Sequence, residues 1–257
     1  MTNTAFARTL RGSGPGIALA HGAGGSIAAH FGPILDALAA RRTVVGVDYP
    51  GSGDTPRSDS PLTLDQLADQ LVAAAVDEGL DRFPVVGFSV GGAVAVRAAT
   101  RHPDRVSALV LTGTYSYLDT SMKLAGEITA GVMAAGDPEL LAKLLTWVSI
   151  SAPTLASMPE QVLAAATAGA DGEPGTADQF DLISRVDTRA ELPEIKAPTL
   201  VIAPSYDLIV PPYLQRNMAD TIPGARFTEV ASGHMVPLEQ PEQWHKLILS
   251  FLEEVGV

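Results

Sequence analysis

The residues of this chain whose types and spacing best fit a chemical reaction are Ser89, Asp207 and His234. Ser89 lies in the hexapeptide GFSVGG, residues 87–92, directly after an apolar run and with a glycine two positions to either side. A serine hydroxyl is a weak nucleophile near neutral pH, so it needs a histidine base and a carboxylate that orients the base. Together the three residue types indicate nucleophilic attack on a carbonyl group.

The glycines around Ser89 are typical of a sharp turn from a strand into a helix. FPVVGF, residues 83–88, predicts a buried strand, and VGGAVAVRAAT, residues 90–100, predicts a helix. Such a turn strains the serine backbone, and side chains at Gly87 or Gly91 would collide where strand and helix approach each other. The alternative is a serine that merely caps a glycine-softened helix.

Five histidines are candidates for the base. His102 ends a predicted helix before a proline, which is typical of a helix cap, and His30 and His245 lie in helical patterns that predict partial exposure. His21 follows a strand and precedes glycines. His234 also follows a strand, lies in a loop after a glycine, and comes late in the chain. His234 is therefore the predicted base.

Asp207 is the candidate for the acid. It follows the predicted strand APTLVIAP, residues 197–204, in a Pro-Ser-Tyr turn. This turn presents the carboxylate at the carboxyl edge of the sheet, where parallel α/β proteins build their sites. The alternative is an aspartate that forms or caps the turn.

The elements that must position these residues alternate between short apolar runs and longer amphipathic stretches. This alternation predicts a mostly parallel, twisted sheet with helices on both faces. The predicted strands are GIALAHG, TVVGVDY, FPVVGF, VSALVLTG, APTLVIAP and ARFTEVA. The predicted helices of the core include FGPILDALAA and TLDQLADQLVAAAVDEG as well as the helix after Ser89.

The alternation stops near residue 115 and resumes near residue 195. The intervening stretch is helical in pattern, with helices predicted at DPELLAKLLTWVS and MPEQVLAAATAGA and a turn at DGEPGTAD. We therefore expect a core domain made of residues 1–114 and 191–257, interrupted by a helical lid over residues 115–190.

Composition excludes several classes of function. The chain has 257 residues, a formal net charge of -12 and no cysteine. The acidity argues against binding to nucleic acid or to an anionic membrane, and no apolar run is long enough to span a membrane. No cluster of residues has metal-ligand spacing. We expect a cytoplasmic monomer or homodimer that acts on a small-molecule substrate without metal or cofactor.

Four motifs carry a resemblance to a known family: HGAGGS at 21–26, DYPGSGDT at 48–55, GFSVGG at 87–92, and SGHMVPLEQPE at 232–242. With the order Ser, Asp, His along the chain, they resemble the α/β-hydrolase fold, in particular its lidded serine hydrolases, over nearly the whole length. One departure is Pro204, at the place where the acid turn commonly begins with glycine.

The resemblance implies an oxyanion hole made by the backbone N–H groups of Ala23 and Val90. Small residues beside Ala23, such as Gly24, let the substrate approach the backbone. A nucleotide site at the same loop is not favoured, because HGAGGS lacks the Lys-Ser/Thr pair of a phosphate-binding loop.

The lid is expected to select the substrate. Bulky apolar side chains would line an acyl or ring pocket if they point inward, and we expect Met235 of the histidine loop to join them. The lid candidates are Tyr115, Tyr117, Met122, Met133, Trp147, Met158 and Phe180. Few basic residues lie in the lid, so a strongly anionic substrate is not favoured.

The sequence predicts hydrolysis of an ester or lactone of a small to medium, mainly apolar compound. One alternative is hydrolysis of a carbon-carbon bond in a β-diketone-like substrate, although no lid arginine is well placed for the carboxylate that such substrates often carry. Another is a noncatalytic ligand-binding protein on the same fold.

Overall fold

The computed structural model describes residues 6–168 and 172–257. In these residues seven strands form a single sheet in the order β1-β3-β2-β4-β5-β6-β7. Every neighbouring pair is parallel except β1 and β3. The strands are β1 Arg8–Arg11, β2 Gly16–Ala20, β3 Thr43–Val47, β4 Phe83–Phe88, β5 Val106–Thr112, β6 Thr199–Pro204 and β7 Arg226–Val230.

All six predicted strands are present, and β1 is an addition to them. The strand β1, with the sequence RTLR, pairs only with β3 and leaves most of its side chains exposed. An edge strand of this kind is held by backbone hydrogen bonds, so its side chains show no apolar pattern. By contrast, every residue of β4, β5 and β6 is buried.

Eleven α-helices and one short 3-10 helix, Leu192–Glu194, accompany the sheet in the described residues. The α-helices are α1 Ile27–Ala39, α2 Leu64–Asp77, α3 Val90–Arg101, α4 Thr120–Ala134, α5 Pro138–Ser149, α6 Ala152–Ser157, α7 Glu160–Thr167, α8 Thr176–Ser184, α9 Pro212–Thr221, α10 Val236–Glu239 and α11 Pro241–Glu254. None of them is both long enough and apolar enough to cross a membrane.

The helices cover both faces of the sheet. Apolar residues of α1 and α11, such as Phe31 and Trp244, form one buried cluster with one face of the strands. Residues of α2, α3 and α9, such as Leu71 and Leu214, form a second cluster on the other face. The predicted fold class is therefore confirmed, including strands that are apolar throughout because both of their faces are buried.

Helices α4 to α8 lie between β5 and β6, and we call residues 115–190 the helical insertion. An antiparallel bridge between Tyr117 and Asp187 joins its two ends. The predicted helix at 137–149 is α5. The helix predicted over 158–170 is shorter, because α7 covers Glu160–Thr167; its last two predicted positions lie outside the described residues, as do residues 1–5 of the predicted core domain.

Candidate active site

Ser89 occupies a strained turn between β4 and α3. Its φ of 54° and ψ of -127° make it the one non-glycine residue with positive φ in the described part of the chain. The backbone N–H of Ser89 donates to Thr112 O at 2.9 Å, which fixes the turn against β5. Strain of this kind persists only where the surroundings enforce it, and it exposes the hydroxyl at the carboxyl edge of the sheet.

The glycines that flank Ser89 are required by close backbone approaches. A Cβ atom at Gly87 would lie 2.4 Å from Gly91 O, and one at Gly91 would lie 2.1 Å from Ala20 O. The side chain of Ser89 makes no capping hydrogen bond to the first turn of α3. This geometry supports the turn and does not support the helix-capping alternative.

The three residues with predicted chemistry lie in a hydrogen-bonded chain. His234 Nε2 is 3.0 Å from Ser89 Oγ, and His234 Nδ1 is 2.8 Å from Asp207 Oδ2. All three side chains are buried. At the Ser89 end, the hydrogen-bonded series opens into a cavity that Ser89 and His234 line. The arrangement suits a proton transfer from the serine to the imidazole, with the carboxylate orienting the ring.

Asp207 is itself held in place by the loop that follows β6. Its Oδ1 atom accepts hydrogen bonds from Ile209 N at 2.9 Å and Val210 N at 2.8 Å. The turn role that the sequence left open for Asp207 therefore exists, and it is performed by the oxygen that does not face His234. One carboxylate thus fixes its own loop and faces the imidazole.

Glu239 fixes the loop that carries His234, and sequence reasoning missed it. Its Oε1 atom accepts from Gly233 N at 2.8 Å and from Ser151 N at 3.1 Å. Its Oε2 atom accepts from the hydroxyls of Ser151 and Thr154, at 2.5 and 2.6 Å. The histidine loop is therefore tied to the helical insertion. The signal in the sequence was a glutamate five residues after the histidine, within the SGHMVPLEQPE motif.

Two backbone N–H groups face the same end of the sheet. Val90 N is the first helical N–H of α3 and has no intrahelical acceptor, and Ala23 N follows β2 in the HGAGGS loop. In the described residues, neither group donates a hydrogen bond to the protein. Free N–H groups near a nucleophile are suited to stabilise an oxyanion.

Gln179 of α8 supports the loop that contains Ala23, which the sequence did not reveal. Gly24 N donates to Gln179 Oε1 at 2.8 Å, and Gln179 Nε2 donates to Ser52 Oγ at 2.8 Å. The side chain is 1% exposed. A buried amide whose oxygen and nitrogen are both hydrogen-bonded holds its neighbours in fixed positions. The partners lie more than 120 residues away in the chain, so local patterns do not disclose them.

The remaining histidines are accounted for by their surroundings. His21 is buried, its Nε2 accepts from Tyr49 N at 2.9 Å, and burial lowers its pKa to about 3. His102 Nε2 lies 2.7 Å from Asp69 Oδ1 at the end of α3, as expected of a capping position. His245 is half-buried. These side chains do not line the cavity at Ser89.

The expected partial exposure of His30 is wrong. This residue lies on the inner face of α1, is 8% exposed and lines the cavity at Ser89. Its burial, together with the nearby charge of His234, lowers the pKa of His30 to about 4. The ring is therefore neutral near pH 7. The helical pattern placed His30 on α1, but the burial depends on the glycine loop folding over that helix.

The cavity at Ser89 has a volume of about 300 Å³. Gly24 and Met235, which the sequence analysis assigned to substrate binding, lie on its wall, and among the described residues no lysine or arginine does. The insertion supplies a mostly apolar wall. Its contributions are Pro138, Leu141, Ala142, Leu145, Ser149, Gly172, Thr176, Phe180 and Ile183.

The structure corrects three of the expected substrate contacts. Tyr115 is 1% exposed and Met122 is 6% exposed, and both pack in the core cluster below the insertion. Trp147 is 61% exposed on the outer side of α5. Residues two positions apart on a helix point in nearly opposite directions, so Leu145 faces the cavity and Trp147 does not.

The other lid candidates divide as well. Phe180 lines the cavity at Ser89, whereas Tyr117 and Met133 line separate surface grooves. Met158 is half-buried and lines none of these. In the residues that the structure describes, no group of three or more His, Asp or Glu side chains is arranged to hold a metal ion.

Known proteins resemble this chain over nearly its whole length. Pyrrolizixenacetamide deacetylase of Xenorhabdus hominickii is 33% identical over 247 residues, which cover 95% of this chain and 92% of that protein. The enol-lactonase from Burkholderia xenovorans LB400 matches with a TM-score of 0.83 at 25% identity, with 96% of each chain covered. A thermophilic esterase from Thermogutta terrifontis matches with a TM-score of 0.83 at 26% identity, with 98% of this chain and 94% of that chain covered.

The match to a family agrees with the sheet order and the strained turn at Ser89. The family described as the alpha/beta hydrolase fold matches residues 17–241, which span β2 to the start of α11. The relative at 33% identity is also named for a hydrolytic activity. The chain therefore belongs to the alpha/beta hydrolase fold family and is a hydrolase.

Proposed function

We propose that this protein is a serine hydrolase that cleaves an ester or lactone of a small to medium, mainly apolar compound. The observation that carries the proposal is the hydrogen-bonded chain Ser89, His234 and Asp207, which opens into the apolar cavity. In this geometry the nucleophile, the base and the orienting acid have the roles of a catalytic triad.

The proposed reaction begins with attack of Ser89 Oγ on the carbonyl carbon of the substrate. His234 Nε2 takes the hydroxyl proton, and Asp207 stabilises the imidazolium through Nδ1–H. The carbonyl oxygen becomes an oxyanion that accepts hydrogen bonds from Ala23 N and Val90 N. When the carbon-oxygen bond breaks, His234 gives its proton to the leaving alcohol, and water then hydrolyses the acyl-enzyme by the reverse sequence of proton transfers.

The character of the cavity supports the substrate class. A volume of about 300 Å³ suits a small to medium molecule, and leucine and phenylalanine side chains from α5 and α8 favour apolar groups. Because no lysine or arginine in the described part of the chain lines this cavity, a carbon-carbon bond substrate with a carboxylate would have no ionic partner among these residues. The named relatives that act on lactones and esters add support.

A second candidate is hydrolysis of a small acetamide. It is favoured by the relative at 33% identity, whose name describes removal of an acetyl group from an acetamide. The same triad and oxyanion donors serve both reactions, but an amine is a poorer leaving group than an alcohol, so proton transfer from His234 becomes more demanding. The noncatalytic alternative has less support, because the relatives named above are hydrolases.

The proposal also includes the setting in which the enzyme works. We propose a cytoplasmic monomer or homodimer that acts on a free small molecule. The absence of cysteine and the net charge of -12 support this setting.

Labelling with a fluorophosphonate probe tests the proposal. Wild-type protein should be labelled, Ser89→Ala should not, and Ser149→Ala should remain labelled although Ser149 lies on the same cavity. Rates of turnover of matched phenyl acetates and acetanilides then distinguish ester hydrolysis from acetamide hydrolysis. Labelling that persists in Ser89→Ala and disappears in Ser149→Ala would identify the other serine as the nucleophile.

A further inference from the structure

His30 is a buried polar residue on the wall of the catalytic cavity for which the proposed reaction has no use. It is 8% exposed, and its ring lies edge-on to Phe88 with the centroids 5.1 Å apart. Its Nδ1 atom accepts a hydrogen bond from Gly22 N at 3.2 Å. Within the described chain, the other ring nitrogen, Nε2, has no hydrogen-bond partner.

The bond from Gly22 fixes the tautomer of the neutral ring. A neutral imidazole has one N–H, and a nitrogen that accepts a hydrogen bond does not carry it. Because Nδ1 accepts from Gly22 N, the proton lies on Nε2. Burial and the charge of His234 keep the pKa of His30 at about 4, so the ring remains neutral near pH 7. The cavity wall therefore contains a neutral N–H donor without a protein acceptor.

A purely structural role for His30 explains the hydrogen bond at Nδ1 but not the donor at Nε2. Accepting the bond from Gly22 N would require Nδ1 alone. His30 Nε2 is not one of the fully buried polar atoms that lack a partner, so it is accessible from the cavity that His30 lines. The nearest ring systems, Phe88 and His21, offer Nε2 no hydrogen bond. A molecule that fills the cavity can therefore supply an acceptor for this donor.

We propose that His30 Nε2–H donates a hydrogen bond to a second acceptor of the substrate, distinct from the scissile carbonyl. Ala23 N and Val90 N already serve the scissile carbonyl oxygen, so the donor on His30 is left for another group. The ligand chemistry is a neutral carbonyl or ether oxygen within an otherwise apolar ester or lactone. This inference rests on the proposed function, because it concerns recognition in the same cavity.

Pairs of esters that differ by one oxygen atom test the inference. One arm compares 4-nitrophenyl methoxyacetate with 4-nitrophenyl butyrate, which places the acceptor in the acyl group. The other arm compares 2-methoxyethyl acetate with butyl acetate, which places it in the alcohol. The quantity compared is the ratio of kcat/KM within a pair. Intrinsic reactivity differs within each pair but cancels when the ratios of two enzyme variants are compared.

Two substitutions test the roles of the two ring nitrogens of His30 separately. Asparagine provides an acceptor near the place of Nδ1 and no donor near Nε2, whereas glutamine can place an amide N–H near Nε2. In one arm at least, His30→Asn should lower the preference for the oxygen-containing ester about fivefold to tenfold, the worth of one neutral hydrogen bond. His30→Gln should stay within about threefold of wild type, and His245→Asn, on α11, serves as the control.

Two outcomes would overturn the inference. One is a preference in His30→Asn within about twofold of wild type in both arms. The other is an equal loss for both members of every pair, which would indicate a structural role. The same pairs titrated into Ser89→Ala, with and without His30→Asn, measure recognition without turnover. Fluorophosphonate labelling of wild type reports separately on the proposed function, so failure of one is distinguishable from failure of the other.

Discussion

The sheet core and the helical insertion differ most in how they are packed. Strands β4, β5 and β6 are buried at every position, whereas α5, α6 and α7 have no buried residue. The insertion also exposes large apolar side chains, namely Leu124, Ile128, Leu140, Trp147 and Val162. In the proposed function, the catalytic groups lie on the core, and the wall that contacts the substrate comes largely from the more loosely packed insertion.

The two regions are not independent, because the insertion is fixed where it meets the loops that carry Ala23 and His234. Gln179 holds the HGAGGS loop, and Glu239 ties the histidine loop to Ser151. An exposed ion pair between Arg57 and Asp178 adds a third contact. The outer helices of the insertion can therefore move or change in sequence while the contacts at its inner edge keep these loops in place.

Substitution of the triad should have the largest effect. Ser89→Ala and His234→Ala should each lower kcat by a factor of about 1,000 or more, and Asp207→Ala somewhat less, because the three groups act as a unit. Steady-state turnover of a short ester measures this. Activity that is retained in His234→Ala but lost in His21→Ala would contradict the assignment of His234 as the base.

Adding one methyl group should have opposite effects on stability in the two regions. In Gly91→Ala the new Cβ would lie 2.1 Å from Ala20 O, so the free energy of unfolding should fall by about 3 kcal/mol or more. In Gly126→Ala of α4 nothing lies within 4 Å of the new Cβ, so the free energy of unfolding should rise by about 0.5 to 1 kcal/mol. Urea denaturation measures both. Equal losses would mean that α4 is packed as tightly as the turn.

Mild acid should destabilise the core through its buried histidines. The pKa values of His21 and His30 are lowered to about 3 and 4 from 6.5, so below pH 6.5 the unfolded chain binds protons that the folded chain does not. The stability that these neutral rings contribute is complete above pH 6.5. It is lost at up to about 1.4 kcal/mol per pH unit for each ring as the pH falls toward the folded values.

Urea denaturation between pH 6.5 and 5 measures this slope. His30→Asn should remove the part of this slope that is due to His30. The helical insertion contains no histidine, so no histidine there contributes to the slope. An unchanged slope in His30→Asn would show that this ring is protonated in the folded state.

Loss of Gln179 should show how strongly the insertion supports the core. Gln179→Ala leaves Gly24 N and Ser52 Oγ without their partner, which should lower the free energy of unfolding by about 1 to 3 kcal/mol and lower kcat more than it raises KM. Arg57→Ala at the same contact should cost at most about 1 kcal/mol, because its ion pair is exposed. If both variants behave alike, the amide has no special role in positioning the loop.

The sequence predicted the parts of the site that depend on local motifs. Ser89, Asp207 and His234 each follow a strand of the sheet, and parallel strands bring their carboxyl ends to one edge, so their proximity follows from the topology. The contacts of Gln179 and Glu239 join residues far apart in the chain and of ordinary type. No periodicity marks such pairs in advance.

Side-chain direction within the insertion was the weakest part of the prediction. Composition indicated an apolar helical segment but could not say which face of each helix meets the core. Tyr115 and Met122 lie at its base and fill the core, while Trp147 faces outward. These directions depend on how α5 and α8 dock over the sheet, which is decided by contacts between elements and not by the elements themselves.

A last pair of substitutions should distinguish the two faces of α5. Leu145→Ala removes an apolar contact from the cavity wall and should shift the preference among ester chain lengths by about 1 to 3 kcal/mol in kcat/KM. Trp147→Ala removes a larger side chain that is 61% exposed, and it should change neither that preference nor the free energy of unfolding by more than about 0.5 kcal/mol. Fluorophosphonate labelling of Ser89 should persist in both. A shift in chain-length preference for Trp147→Ala alone would mean that α5 turns its other face to the substrate during catalysis, and that the looser region changes its packing when the cavity is filled.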